Sequence, residues 1–95
     1  MPYQYPFSNA ATNLITTVWQ KGREIPKYDK DVWRHDICGK VMKYSDHGNT
    51  KSTNGWEIDH IHPKSQGGND TLKNLRPLNW LNNRDKGDSL NWNCP

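Results

Sequence analysis

Residues 57–88 read EIDHIHPKSQGGNDTLKNLRPLNWLNNRDKGD. The segment sets Asp59 beside His60, follows them with a turn-rich loop that holds Gly67 and Gly68, and places Asn74 and Asn83 beyond it. Asp59 is a hard oxygen donor of the kind that suits Mg²⁺ or Mn²⁺. An unperturbed imidazole has a pKa of about 6.5, the residue type that can take up a proton near neutral pH, and His60 supplies one. Asn83 offers a neutral carbonyl oxygen, a second hard donor. On a helix, Asn79, Asn83 and Lys86 are spaced by four and three and share one face, while Leu78 and Leu81 lie off it and pack inward. Adjacent strand residues point to opposite faces. Asp59 and His60 can therefore serve one site only where their strand ends, and the loop signals from Pro63 onward put an end there.

The neighbouring residues give this segment its predicted elements. WEIDHI alternates as a strand, HPKSQGGNDTLK carries turn residues, and NLRPL is a short extended piece whose Pro77 belongs at an edge or strand end. LNWLNNRDK is a helix ended by Gly87. Residues 56–87 thus read strand, loop, strand, helix. Upstream, MPYQYPF is expected to lie extended across the surface. Ser8 can cap a helix in which Ala11, Leu14, Ile15, Val18 and Trp19 form a core stripe, with Gly22 at its end. REIPKYDKD reads as a connector. A strand near 39–45 followed by the polar loop DHGNTKSTNG suggests that 39–60 is a long-loop hairpin. The class is α+β.

Ninety-five residues, 32% hydrophobic, imply one domain over 1–95 with a modest core, the kind that often needs a metal, a disulfide or a partner as a staple. Five Trp and four Tyr supply large apolar area. A net charge of +3 and a pI near 9.0 lean towards an anionic partner. Two cysteines, Cys38 and Cys94, are too few for a disulfide-built scaffold. A single bridge stays open, although Cys94 sits at an end where chains fray. No apolar run has transmembrane length and the N-terminal residues show no basic segment followed by an apolar one, so the expectation is a soluble protein in a reducing cytoplasm, with no membrane partner.

An Asp-His pair, a Gly pair or a helical Asn is unremarkable singly. Together, IDHIHP, the Gly pair, NLRPL and NNRDKGD, with the flanking WRHDICG and GWEIDHI, resemble the HNH endonuclease family over 33–88, in particular its small stand-alone bacterial and phage members. The resemblance implies a ββα-metal unit with its core at 56–88, joined here by an N-terminal helix and a β-hairpin. The three motif residues fall on His60, Asn74 and Asn83. By that resemblance Asp59 and Asn83 bind one divalent metal beside the scissile phosphate, His60 is the general base, and Asn74 bonds across the loop to hold His60. The products would be a 5′ phosphate and a 3′ hydroxyl on DNA, with weak sequence preference, and a monomer would nick one strand. Lys86, Arg84, Arg76 and Lys64 are the phosphate-contact candidates. His62 is a possible auxiliary, though a loop His that caps a turn is the plainer role. His35 is expected to pack or bond locally, His47 to sit in a polar loop without a chemical part, and Trp56 and Trp80 to sit in the core. Many relatives hold a structural zinc on two CxxC pairs. The matching positions here are His35, Cys38, Asn79 and Asn82, and amides are poor zinc ligands, so no structural zinc is expected. Some relatives add a metal-binding His where this chain has Gly87, and fewer imidazoles favour Mg²⁺ or Mn²⁺. Loss of Asp59 is expected to leave the metal-free fold intact. The alternative is a nucleic-acid-binding module of the same fold without catalysis.

Overall fold

A computed structural model describes residues 9–95. The extended MPYQYPF and the Ser8 cap fall outside the described residues. The elements are α1 (Asn9–Trp19), β1 (Arg23–Glu24), β2 (Trp33–His35), β3 (Val41–Lys43), β4 (Trp56–His60), β5 (Leu75–Asn79) and α2 (Trp80–Lys86). β1, β2 and β3 form one antiparallel sheet in that order; β4 and β5 form a second antiparallel pair with Trp56 opposite Asn79 and His60 opposite Leu75. The helix α1 packs on β5, and α2 lies against both β4 and β5. Among the described residues no helix is long and apolar enough to cross a membrane.

The strand, loop, strand, helix order of 56–87 is present, and Pro77 sits in a strand that has only one partner. The long-loop hairpin over 39–60 is not. β3 pairs with β2, because the chain between them turns tightly: the Asp36 N–H donates to the Lys40 carbonyl at 2.8 Å, and Gly39 takes a left-handed φ of 82° that favours glycine. β4 is left to pair with β5 across the loop. The connector after α1 also contributes more than expected, since Arg23 and Glu24 add the short edge strand β1.

The helical stripe buries as its spacing implies. Val18 and Trp19 join Met42, Trp56 and Leu75 in the core, with Leu14, Ile15, Tyr44 and Ile58 against them. Trp19 and Trp56 stack at a tilt, 5.2 Å between ring centroids, and each buries its indole N–H on a carbonyl, Lys30 at 3.0 Å and Tyr44 at 3.1 Å. His47 packs edge-on against Trp56 at 4.8 Å. Burial lowers its pKa, against the opposing charge of Glu57. Leu78 is fully buried, but Leu81 is exposed, because the seven-residue α2 turns that side to solvent.

Polar side chains complete the interior. Arg34 donates to the carbonyls of Gln20 and Gly22 just beyond α1 and to that of Lys30. Asp36 is 1% exposed and accepts four N–H groups: from the Cys38 and Lys40 backbones on one oxygen, and from the Asn79 backbone and Asn82 side chain on the other, all within 3.0 Å. Asn79 caps α2 by accepting from the Leu81 N–H and donates to the Val41 and Thr53 carbonyls. Cys38 is bonded to Cys94, so the C-terminal tail returns to the β2–β3 turn instead of fraying. Fifty-six residues separate the two thiols, a proximity that only the tertiary fold creates.

Replacing Asp36 by Ala would strand the Asn79 N–H and the Asn82 amide in the interior. We expect Asp36→Ala to cost about 3 kcal/mol or more, read as a lowered urea midpoint at unchanged slope. A loss under about 0.5 kcal/mol, the size of an ordinary surface change, would show that the network carries no stability.

Candidate active site

Asp59 faces Arg76 across the β4–β5 pair, and the Arg76 Nε donates to its Oδ2 at 2.8 Å. The Lys86 Nζ lies 3.1 Å from the other oxygen and donates to the His60 carbonyl at 2.9 Å. Asp59 is 5% and Lys86 3% exposed. Lys86 is therefore a buried tie between the last turn of α2 and the end of β4. Loss of Asp59 would leave this cation buried without its carboxylate, an argument against the expectation that the metal-free fold tolerates it.

His60 is the last residue of β4, and because the strand ends there both Asp59 and His60 line one cleft of about 370 Å³, with Asn83, Arg84, Lys64 and Lys86 around it. The His60 Nε2 meets Asp70 Oδ1 at 2.7 Å, and the second Asp70 oxygen accepts from Lys64 at 2.9 Å. The hydrogen bond from His60, then that from Lys64, hold the Asp70 carboxyl below its ordinary pKa.

The loop after β4 explains its glycines. Gly67 has a φ of 93°, and a Cβ on Gly68 would fall 1.8 Å from the His62 carbonyl oxygen. Asn74 bonds that same residue from both sides: its Oδ1 accepts from the His62 N–H at 2.8 Å and its Nδ2 donates to the His62 and Asn69 carbonyls at 3.0 and 2.7 Å. His62 itself closes a turn, with Nε2 donating to the Gln66 carbonyl.

From α2, Asn83 donates its amide nitrogen to Glu57 Oε1 at 2.9 Å, so the carbonyl oxygen is what it offers the cleft. Arg84 forks onto the same carboxylate at 2.7 and 3.1 Å. Glu57 was not singled out from the sequence. The available signal was its place two residues before Asp59, on the same strand face. Asn79 does not join Asn83 on a working face; it is fully buried as the cap of α2. All four phosphate-contact candidates are paired with carboxylates: Lys64 with Asp70, Arg76 and Lys86 with Asp59, Arg84 with Glu57. Only Lys64 and Arg84 keep more than half of their side chains exposed.

The profile of the HNH endonucleases matches residues 36–89, the stretch that holds this cleft. The chain belongs to the HNH endonuclease family. No curated protein and no solved structure matches it. HNH endonucleases act on DNA and generally use a divalent metal. Among the described residues no three His, Cys, Asp or Glu side chains cluster as a ready metal centre. The Asp59 carboxylate and the Asn83 carbonyl oxygen nevertheless form a hard-oxygen pair on one cleft, a donor set that suits Mg²⁺ or Mn²⁺ if Arg76 or Lys86 yields an Asp59 oxygen. His35, Cys38, Asn79 and Asn82 do not offer such a set, since Cys38 is in a disulfide and both amides are bonded within the protein.

We expect Asp59→Ala to lose about 3–5 kcal/mol of stability by leaving Lys86 buried and unpaired. The double variant Asp59→Ala/Lys86→Met should recover most of it in urea unfolding. Equal stabilities for wild type and Asp59→Ala would contradict the pairing.

Proposed function

We propose that this HNH protein is a metal-dependent DNA endonuclease that cuts one strand per site, and that Asp59 and Asn83 hold a single Mg²⁺ or Mn²⁺ while His60 acts as general base. The observation that carries this reading is the convergence of Asp59, His60 and Asn83 on one cleft from the end of β4 and from α2. With Nε2 hydrogen-bonded to Asp70, the His60 ring presents Nδ1 to a water molecule and can take its proton. Asn74 keeps the loop behind His60 closed, and Glu57 keeps the Asn83 carbonyl turned to the cleft. Arg84 and Lys64, the exposed cations at its rim, meet the phosphates on either side of the cut. A bound divalent ion would supply charge neutralisation at the phosphate and at the departing 3′ oxygen. Contacts of this kind read backbone rather than bases, so sequence preference is weak and binding is sensitive to salt. No structural zinc belongs to this reading. The Cys38–Cys94 bridge is of a kind that persists in an oxidising surrounding.

One observation favours the alternative of a binding module without catalysis: both Asp59 oxygens are already held by cations. Incubation with supercoiled plasmid separates the two. We expect open-circular product with Mg²⁺ or Mn²⁺, none with EDTA, and a loss of about 10²- to 10⁴-fold in His60→Ala at retained DNA binding. DNA binding without conversion under any divalent metal would establish the binding module. A wild-type rate in His60→Ala would move the base elsewhere, with His62 next in line.

A further inference from the structure

The charge of the chain is divided unevenly. Residues 44–95, which hold the whole cleft, carry six cationic and six acidic side chains, and residues 1–20 carry none. Residues 21–43 carry seven cationic and four acidic, so the entire net charge of +3 lies on the segment that builds the β1–β2–β3 sheet.

That sheet sorts its residues by face. Arg34 and Met42, opposite each other, are buried and point inward. Cross-strand partners share a face, so Glu24, opposite Arg34, lies on the inward side, while Arg23, His35, Val41, Trp33 and Lys43 share the outward side. No carboxylate of the three strands is on that side. Asp36, the acid that follows β2, is buried, and Asp29 spends Oδ1 on the Asp31 N–H of its own turn. A turn closed by the Tyr28 N–H on the Ile25 carbonyl adds Tyr28, 63% exposed. Ile25, Tyr28, Trp33, His35 and Val41 line a mostly apolar cleft of about 360 Å³, and the Lys43 ammonium stands 5.5 Å from the centre of the Trp33 ring. A second groove runs on from Arg23 and His35 to Ile61 and Arg76, the cation that holds Asp59.

We propose that the outward face of β1–β2–β3 binds a single-stranded stretch of the DNA, stacking an unpaired base against Tyr28 and Trp33 while Arg23 and Lys43 meet its flanking phosphates. Aromatic faces beside unpaired cations are the chemistry that holds unpaired bases without regard to sequence. A protein partner for an apolar cleft would not call for the net positive charge around it. The groove past His35 leads the strand towards the cleft that holds Asp59 and His60. This inference rests on DNA being the partner, as argued above, but not on the catalytic roles.

The test is fluorescence anisotropy in EDTA with a labelled oligothymidylate and with a duplex of equal length, on wild type, Tyr28→Ala and Lys43→Gln, each checked for folding by circular dichroism. We expect Tyr28→Ala to weaken oligothymidylate binding about 10-fold, Lys43→Gln to reduce its salt dependence, and the duplex to lose much less. Unchanged oligothymidylate binding in both variants would overturn the inference, as would a duplex that depends on Tyr28 equally. Plasmid nicking by the same proteins keeps the two readings apart. Nicking with variant-insensitive oligonucleotide binding sinks the sheet assignment alone, and Tyr28-dependent binding by a wild type that never nicks sinks the catalytic reading alone.

Discussion

The carboxylate of Asp36 holds this fold in register. α2 has seven residues, too few to persist as a helix by its own hydrogen bonds, yet it must deliver Asn83 to the cleft. Its N-terminus is fixed by Asp36, which accepts from Asn79 and Asn82, and by Asn79, which reaches the Val41 and Thr53 carbonyls. Its C-terminus is fixed by Lys86 on Asp59 and the His60 carbonyl. The same Asp36 shapes the β2–β3 turn through Cys38 and Lys40. One buried acid thus joins the two sheets and sets where the helix begins. Such a network specifies a single arrangement because every group left unpaired in the interior would be costly.

The second organising feature is electrostatic. Around the cleft four cations share three carboxylates, and the whole 44–95 segment balances six cationic against six acidic side chains, so this half is close to neutral. Neutrality there costs long-range attraction for a polyanion. On the proposals made above, that attraction falls to the basic β1–β2–β3 side, with steering on one face and chemistry on the other. Arg76 stands between them, held by Asp59 on β4 and with the Trp92 ring of the tail 5.9 Å from its guanidinium carbon.

Much of the strand-loop-strand-helix half was legible in the sequence because its signals are local. Gly67, Gly68, Pro63 and Pro77 punctuate the chain, and Asn74 and Asn83 fall where the motif of the HNH family places them. The stripe of α1 was equally plain, since Val18 and Trp19 follow helical spacing into the core. What escaped depends on distant contacts. Strands of two and three residues such as β1, β2 and β3 are too short to show alternation, so the pairing of β3 with β2 rather than β4 could not be read. Lys86 looked like a surface cation because its burial comes from Asp59, 27 positions earlier. The long-range contacts of Asp36 and Glu57 and the Cys38–Cys94 bridge span 26 to 56 positions, and nothing in their immediate neighbours marks them.

The central claim, that the Asp59–His60–Asn83 cleft is the metal centre, is tested most directly by amide NMR of the intact chain with substoichiometric Mn²⁺. Paramagnetic broadening falls off steeply with distance from the ion. The account predicts that signals from 58–61 and 83–88 disappear first, that those of β1–β3 persist, and that EDTA restores the spectrum. Broadening centred on another part of the chain, or spread evenly over it, would contradict the claim.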